Sequence, residues 1–282
     1  MLWFVNTDMN DRLTENASLN RAVTAKPSRA MPADADRAFV LHTYPYLETS
    51  LIVEAFTATH GRVVVVAKGA KRPHAAMRGM LNPFQALRLS WFGRSEMKTL
   101  KAAEQEQILP QLSGAALLSA FYLNELLLKL THREDPHEDL YDAYANAVCA
   151  LAALPSGNNG VRAIAEILRQ FEVNLLRELG YALQLAEEAD SHRPLDPDGT
   201  YVYQTERGPV ACAAENAMKE PMPQSYNDDG LRLSGKTLLD ISANNYSDPQ
   251  TQIQAKQLMR KMINYLLGDK VLHTRQLMRD LR

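Results

Sequence analysis

His60-Gly61-Arg62-Val63-Val64-Val65-Val66-Ala67-Lys68-Gly69-Ala70-Lys71-Arg72 is the stretch on which the fold turns. Residues 62–68 are apolar on both faces and predict a central strand, and His60-Gly61 before them suits a tight turn. The segment is also basic. From His60 to Lys101 nine cations (Arg62, Lys68, Lys71, Arg72, Arg78, Arg88, Arg94, Lys98 and Lys101) face one acid, Glu96. The whole chain carries 31 Lys and Arg against 33 Asp and Glu, so the segment is a strong local exception. A β-rich module with one-signed charge points to a polyanion.

Short strands surround this run. Upstream, residues 37–42 predict a first strand with a turn at Tyr44-Pro45-Tyr46, and 50–57 a second. Downstream, 69–79 read as a basic connection with one helical turn at Ala75-Ala76-Met77-Arg78. Residues 84–92 predict a fourth strand, in which Leu87, Leu89 and Trp91 alternate with Arg88 and Ser90. Residues 98–104 predict a fifth. Five short antiparallel strands interrupted after the third fit an OB-fold barrel, with an SH3-like barrel as the competitor.

The remainder of the chain reads mainly as helix. Ser113 is placed to cap an apolar helix over 115–130. A second spans 140–154, and Pro155-Ser156-Gly157 closes it. A third, over 161–179, has Ile164, Ile167, Leu168, Phe171, Leu175 and Leu179 as its expected buried stripe, with Gly180 at C′. Residues 183–235 are loop-rich and acidic, with a hairpin expected to pair Tyr201-Val202-Tyr203 with Pro209-Val210-Ala211-Cys212. Ser247-Asp248-Pro249 starts a helix that runs to Leu267 and stops at Gly268. A short basic amphipathic helix, 274–281, comes last. The fold class is therefore α+β: a disordered leader (1–35), a five-stranded OB-fold domain (36–112) whose charge suits a polyanion, and a helical domain (113–282). The leader is rich in Asn, Asp, Thr, Ala and Pro and cannot offset its ordering entropy by burial.

Composition narrows the class. With 46% hydrophobic and 23% charged residues, the chain can build an ordinary globular core. Cys149 and Cys212 alone make neither a disulfide framework nor a four-ligand zinc site. A reducing cytoplasm is the expected compartment. No apolar run approaches the roughly 18 residues that span a bilayer. Walker, His-Glu-x-x-His, Gly-x-Ser-x-Gly and Rossmann motifs are absent from the sequence, so a non-enzyme is expected, without cofactor or metal.

Taken in order, several of these motifs carry a family resemblance. They include Arg37-Ala38-Phe39-Val40-Leu41-His42, Val66-Ala67-Lys68-Gly69-Ala70, Tyr122-Leu123-Asn124-Glu125-Leu126-Leu127, Leu168-Arg169 with Phe171-Glu172, Leu179-Gly180-Tyr181, and Leu267-Gly268-Asp269-Lys270 with Thr274-Arg275. From about Arg37 to its end the chain resembles the RecO family of bacterial recombination mediators. The resemblance implies an N-terminal OB domain, a helical middle and a C-terminal part wrapped around it. It also implies binding of single- and double-stranded DNA, annealing of complementary strands, and loading of the strand-exchange recombinase. The implied partners are RecR and the acidic C-terminal tail of single-stranded DNA-binding protein. One departure is plain: many members carry a four-cysteine zinc module after Leu-Gly-Tyr, where this chain has Glu187, Glu188, Asp190 and His192, with only Cys212 near.

The candidate DNA contacts are the nine cations, led by Lys68, Lys71 and Arg72, since cations beside a glycine at a strand end can approach phosphates. Tyr44, Tyr46 and Phe84 are candidates for stacking on bases, although aromatics in small barrels are ordinarily core. Arg169 is expected at the rim of an apolar groove that takes the acidic tail, with Lys129, Arg260, Lys261 and Arg275 contributing. Asn124 and Glu125, set among apolar residues, are expected to bond to neighbouring backbone. Two other readings stand beside the mediator: an adaptor whose basic face binds acidic proteins, and an OB protein that reads structured RNA.

Overall fold

The first five strands close into a barrel. In the computed structural model, which describes residues 35–75, 77, 79–155, 160–212 and 230–280, they are β1 (Asp36–Tyr46), β2 (Ser50–Thr57), β3 (Gly61–Ala67), β4 (Ala86–Phe92) and β5 (Met97–Gln107). Their order is β1-β2-β3-β5-β4, with β3 and β5 parallel and all other pairs antiparallel. This is the OB arrangement. The leader expected over 1–35 falls, but for its last residue, outside the described residues, as does Arg78.

Val63 and Val65 point inward with Val53, Ala55, Leu87, Leu89 and Leu100 to fill the barrel. Their β-branched side chains suit a pleated surface covered on both sides. Two expectations change here. β1 runs straight through Tyr44-Pro45-Tyr46, and the turn falls at 47–49. Pro45 is tolerated because β1 pairs with β4 only over residues 36–39, so the distal half of β1 is an edge on that side. β4 starts at Ala86, since Phe84 sits at φ +67, outside strand geometry. The described residues of the β3–β4 connection form turns rather than a helical turn.

Three helices come next: α1 (Gly114–Leu130), α2 (Glu138–Ala153) and α3 (Gly160–Glu178). Ser113 holds the N-cap position of α1 in extended geometry, but its hydroxyl accepts no capping bond. The stripe on α3 is broader than expected. Phe171 and Leu175 are buried together with Arg169, Glu172 and Leu176, whereas Ile164, Ile167, Leu168 and Leu179 are only partly buried. α3 packs both on α2 and on the long helix over 249–267, so a second face is covered.

The expected hairpin is present as β6 (Thr200–Gln204) and β7 (Gly208–Ala211), with Tyr201 opposite Ala211. A third strand, β8 (Leu231–Ser234), pairs with β6 and leads directly into α4 (Gly235–Ser242). Neither of these was expected from the sequence. α5 (Pro249–Leu267) begins as its sequence indicates, with Asp248 accepting from Gln250 N at 2.8 Å and proline at the first position. α6 (His273–Asp280) ends the described chain.

The barrel and the helices share one core, in which Phe39, Leu41 and Phe56 meet Leu123, Leu126, Tyr144 and Phe171. A bulge in β1 between Val40 and His42 takes Leu41 out of the ladder. Asn124 Nδ2 donates to the Leu41 carbonyl at 2.8 Å, and Tyr144 donates to Asn124 Oδ1 at 2.6 Å. Asn124 therefore meets the structural role expected of it. Gly61, at φ +65, makes a second junction: a Cβ there would lie 2.0 Å from the Asp135 carbonyl oxygen. Asn124→Ala strands both the Leu41 carbonyl and the Tyr144 hydroxyl in the core and is expected to cost about 3 kcal/mol in urea unfolding. Tyr144→Phe strands a single acceptor and is expected to cost about half as much.

Candidate nucleic-acid interface

The outer face of β1, β2, β3 and β5 is built in rows by the strand register. Tyr44 lies opposite Ile52, Ile52 opposite Val66, and Val66 beside Thr99. In the next row His42 lies opposite Glu54, Glu54 opposite Val64, and Val64 beside Met97. Between these rows is a recess of about 290 Å3, lined by Tyr44, Ile52, Glu54, Val64, Glu96, Met97 and Arg133.

A buried carboxylate organises one wall. Glu54 is 5% exposed and accepts from Arg62 Nη1 at 3.2 Å and Arg133 Nη2 at 2.6 Å. Arg62 also donates to the Thr131 carbonyl at 2.9 Å. Burial draws its guanidinium pKa down, and Glu54 works against the shift. Arg62 is thus committed to the junction between barrel and helices, and Lys98 is paired with Glu134 from the same α1–α2 connection.

Other cations project outward. Lys68, Lys71 and Arg72 are exposed at the end of β3. Their loop is anchored from below: Ala70 is 3% exposed in the barrel core, and Lys71 N donates to the Thr49 carbonyl at 2.9 Å. Gly69, at φ +70, makes the turn, and a Cβ there would meet the Arg72 side chain at 3.6 Å. Arg94 is exposed in the β4–β5 turn and Lys101 on β5. Arg88 is exposed on β4, two strands from both β2 and β3, and donates to the Ala35 carbonyl. The sequence-predicted set is therefore divided among several surfaces.

The aromatics divide as well. Tyr44 is 46% exposed, its ring braced edge-on by His42 at 4.4 Å. Tyr46 is half-buried. Phe84 is only 7% exposed and packs on Phe121 at 5.0 Å, so it belongs to the core. Asp36 closes the far end of the barrel by accepting from Thr59 N and Oγ1 at 3.1 and 2.9 Å and contacting His60 Nδ1 at 2.9 Å. Burial alone would raise its carboxyl pKa. The bonds from His60 and Thr59 more than offset this, leaving it below the ordinary 3.8.

On the helical side Arg169 is interior, 9% exposed, with Nη2 2.8 Å from Glu172 Oε1 and 2.7 Å from Oε2. Tyr122 donates to Glu172 Oε1 at 2.6 Å, and Arg275 stacks over the Tyr122 ring at 5.5 Å. Burial raises the Glu172 carboxyl pKa against the pull of Arg169 and Tyr122. Arg275 continues the network to Asn264 on α5 at 2.6 Å. Glu125 holds the start of α6, accepting from His273 N, Thr274 N and Thr274 Oγ1 at 2.8, 2.9 and 2.6 Å, and pairs with Lys129 at 3.5 Å. Arg260 is exposed on α5, and Lys261 is half-buried.

Two family models match this chain in succession: recombination protein O N terminal over residues 31–108 and recombination protein O C terminal over 111–275. The chain belongs to the RecO family. Among its relatives, DNA repair protein RecO of Nitrosospira multiformis is 48% identical over 247 residues, covering 88% of this chain and 95% of that protein. DNA repair protein RecO of Aromatoleum aromaticum is 46% identical over 256 residues, 90% and 99% of the two chains. That of Thiobacillus denitrificans is 44% identical over 263 residues, 91% and 97%.

In this RecO chain the segment after Leu179-Gly180-Tyr181 is held by charge and hydroxyl pairs. Arg193 contacts Glu188 at 3.4 Å and Ser191 Oγ at 3.1 Å, and Arg207 pairs with Asp190. Among the described residues no three His, Cys, Asp or Glu side chains converge as ligands, so those present do not fit a tetrahedral zinc site. No described helix is long and apolar enough to cross a membrane.

Sequence reasoning missed Glu54, Arg133 and Glu172. The signal for Glu54 was available: it is the one charge inside the apolar strand Ser50-Leu51-Ile52-Val53-Glu54-Ala55-Phe56. Arg133, in a connection far along the chain, left no such mark.

Arg169→Ala leaves Glu172 buried without its cation and is expected to lower global stability by about 3–5 kcal/mol in urea unfolding. Arg260→Ala, at an exposed site, is expected to change it by no more than about 0.5 kcal/mol. The Asp36 contribution has a defined pH sense. A depressed folded pKa stabilises the native state above the unfolded value and is lost as pH falls through the folded one. Denaturation followed from neutral pH downward is expected to show the gap between wild type and Asp36→Asn closing as pH drops below 3.8.

Proposed function

We propose that this chain is a non-enzymatic DNA repair and recombination mediator, acting in the cytoplasm at the nucleoid. It binds single- and double-stranded DNA, anneals complementary strands coated by single-stranded DNA-binding protein, and helps load the strand-exchange recombinase together with RecR. The observation that carries the DNA reading is the exposed cluster of Lys68, Lys71 and Arg72 on a loop whose backbone is anchored by Ala70 and Thr49. Cations on a fixed loop engage phosphates with little further ordering cost. Arg94 and Lys101 extend the positive surface, and Arg88 adds to it elsewhere on the barrel. Arg78 joins the set on its place in the basic segment alone. Arg62 and Lys98 contribute field rather than contacts, because each already has a carboxylate partner.

Holding two strands on one cationic surface reduces their mutual repulsion and raises their local concentration, which speeds annealing. Capture of the acidic tail of the coating protein falls to the surface of α1, α5 and α6. There Lys129 pairs with Glu125, Arg275 bonds to Asn264, and exposed Arg260 lies one helical turn before Asn264. Arg169 supports that surface from inside. The relatives' name, DNA repair protein RecO, favours this reading over a purely structural role.

The test is annealing of complementary strands, bare and coated, together with binding as a function of salt. Wild type is expected to anneal both, with a log–log salt slope of about −0.7 per neutralised phosphate on single strands. Lys71→Glu/Arg72→Glu is expected to bind at least about 10-fold more weakly and with a shallower slope, losing roughly 0.7 for each contact removed. Arg260→Ala is expected to slow annealing of coated strands only. Wild-type binding that stays flat from low to moderate salt would overturn the electrostatic mechanism. Failure of the wild type to anneal would favour an adaptor for acidic proteins.

A further inference from the structure

We propose that the recess on the outer barrel face takes one unpaired nucleobase, a contact that a single strand can make and a duplex cannot. This rests on the DNA reading above and adds to it a base-binding subsite. The floor is apolar and the wall is fixed. Tyr44, Ile52, Val64 and Met97 line a space of about 290 Å3, near the small end of ligand pockets, roughly 300–1,000 Å3. That size suits one planar heterocycle.

Tyr44 offers an open ring face. It lies beyond the part of β1 that pairs with β4, is 46% exposed, and is braced by His42. Arg133 faces the same space as a guanidinium plane, 46% exposed, oriented by its 2.6 Å bond to Glu54. A tyrosine ring and an oriented guanidinium are two surfaces on which any base can stack, whatever its sequence. Glu54 does not repel the ligand, since two arginines neutralise it.

Charge complementarity places the backbone of the same strand. Val64 and Val66 fall on one side of the pleat, and Lys68, the first residue after β3, opens the basic loop roughly 13 Å beyond Val64 at ordinary strand rise. Lys68, Lys71 and Arg72 then hold phosphates at one end of the face, with Arg133 at the other; the site between has an apolar floor, and its carboxylates are the paired Glu54 and, in solvent at the rim, Glu96. Such an alternation fits a strand whose phosphates are charged and whose bases are not. In a duplex the bases are stacked on each other and have no free face to offer, so only an unpaired strand can fill the recess.

The experiment uses the full chain and fluorescence anisotropy at one fixed salt concentration. The probes are a labelled thymidine oligonucleotide and the same backbone with abasic residues. Wild type is expected to bind the abasic strand roughly 5- to 150-fold more weakly, the range for loss of base–aromatic stacking. Tyr44→Ala is expected to bind both strands alike, and Tyr44→Phe to keep the preference. Equal affinity of wild type for the two strands overturns the proposal while leaving the DNA reading intact, and it needs no variant that could misfold. A preference retained in Tyr44→Ala, with binding of an acidic peptide lost instead, overturns it in favour of a protein ligand. Failure of every oligonucleotide to bind overturns the DNA reading and this proposal together.

Discussion

The carbonyl of Leu41 has no place in the β1 ladder, and the rest of the molecule is arranged so that it is not left bare. A buried carbonyl without a partner costs about 1–3 kcal/mol. Asn124 supplies the donor from α1, and Tyr144 on α2 satisfies the other end of the same amide. A bulge in one domain is thus met by two helices of the next. Phe39 and Phe56 pack against Tyr141 and Tyr144 around this point, so hydrogen bonding and aromatic contact set the same relative position. Gly61 permits the second contact by letting the Asp135 backbone approach β3 where a side chain would collide.

This docking has a consequence for the outer face of the barrel. With the barrel seated on the helices, the α1–α2 connection runs beside β3, and Glu134 N donates to the Arg62 carbonyl at 2.9 Å. Arg133 then reaches Glu54, and Glu134 reaches Lys98. The outer face of the barrel is a composite, finished by a residue from the helical part. Cations that were equivalent in the sequence acquire different surroundings. Arg62 and Lys98 are held in pairs, whereas Lys68, Lys71 and Arg72 stand on an anchored loop in solvent. Only charges of the second kind are fully open to salt and to phosphates.

In the helical part the interior is polar where three helices meet. Glu172, Arg169, Tyr122 and Arg275 connect α3, α1 and α6. Taking Glu172 and Arg169 out of water offsets much of their attraction, so such a cluster adds little net stability. Its effect is on geometry: each helix must hold its register for the bonds to form. Glu125 acts in the same sense on the first turn of α6. The basic C-terminal helix is thereby seated on α1 by directional bonds as well as by apolar contact.

Much of this was legible in the chain. Periodicity of two and of 3.6 is a local property, so the five barrel strands, the long helices, the β6–β7 hairpin and the Asp248-Pro249 helix start could be read directly. The basic segment and the structural role of Asn124 were legible too, because charge density and a lone amide among apolar residues are visible without coordinates. β8 and α4 were not, since a four-residue strand is specified by its partner β6 more than by itself. Nor were the roles of Arg62, Lys98 and Arg169. Whether a cation stands open in solvent or is the partner of a carboxylate depends on residues distant in sequence: Glu134 for Lys98, and the shared, buried Glu54 of β2 with Arg133 of the α1–α2 connection for Arg62. The locally periodic elements and the concentration of positive charge are properties of the chain's order; which charges remain available is a property of its packing, because Coulomb energy and desolvation depend on distances through space.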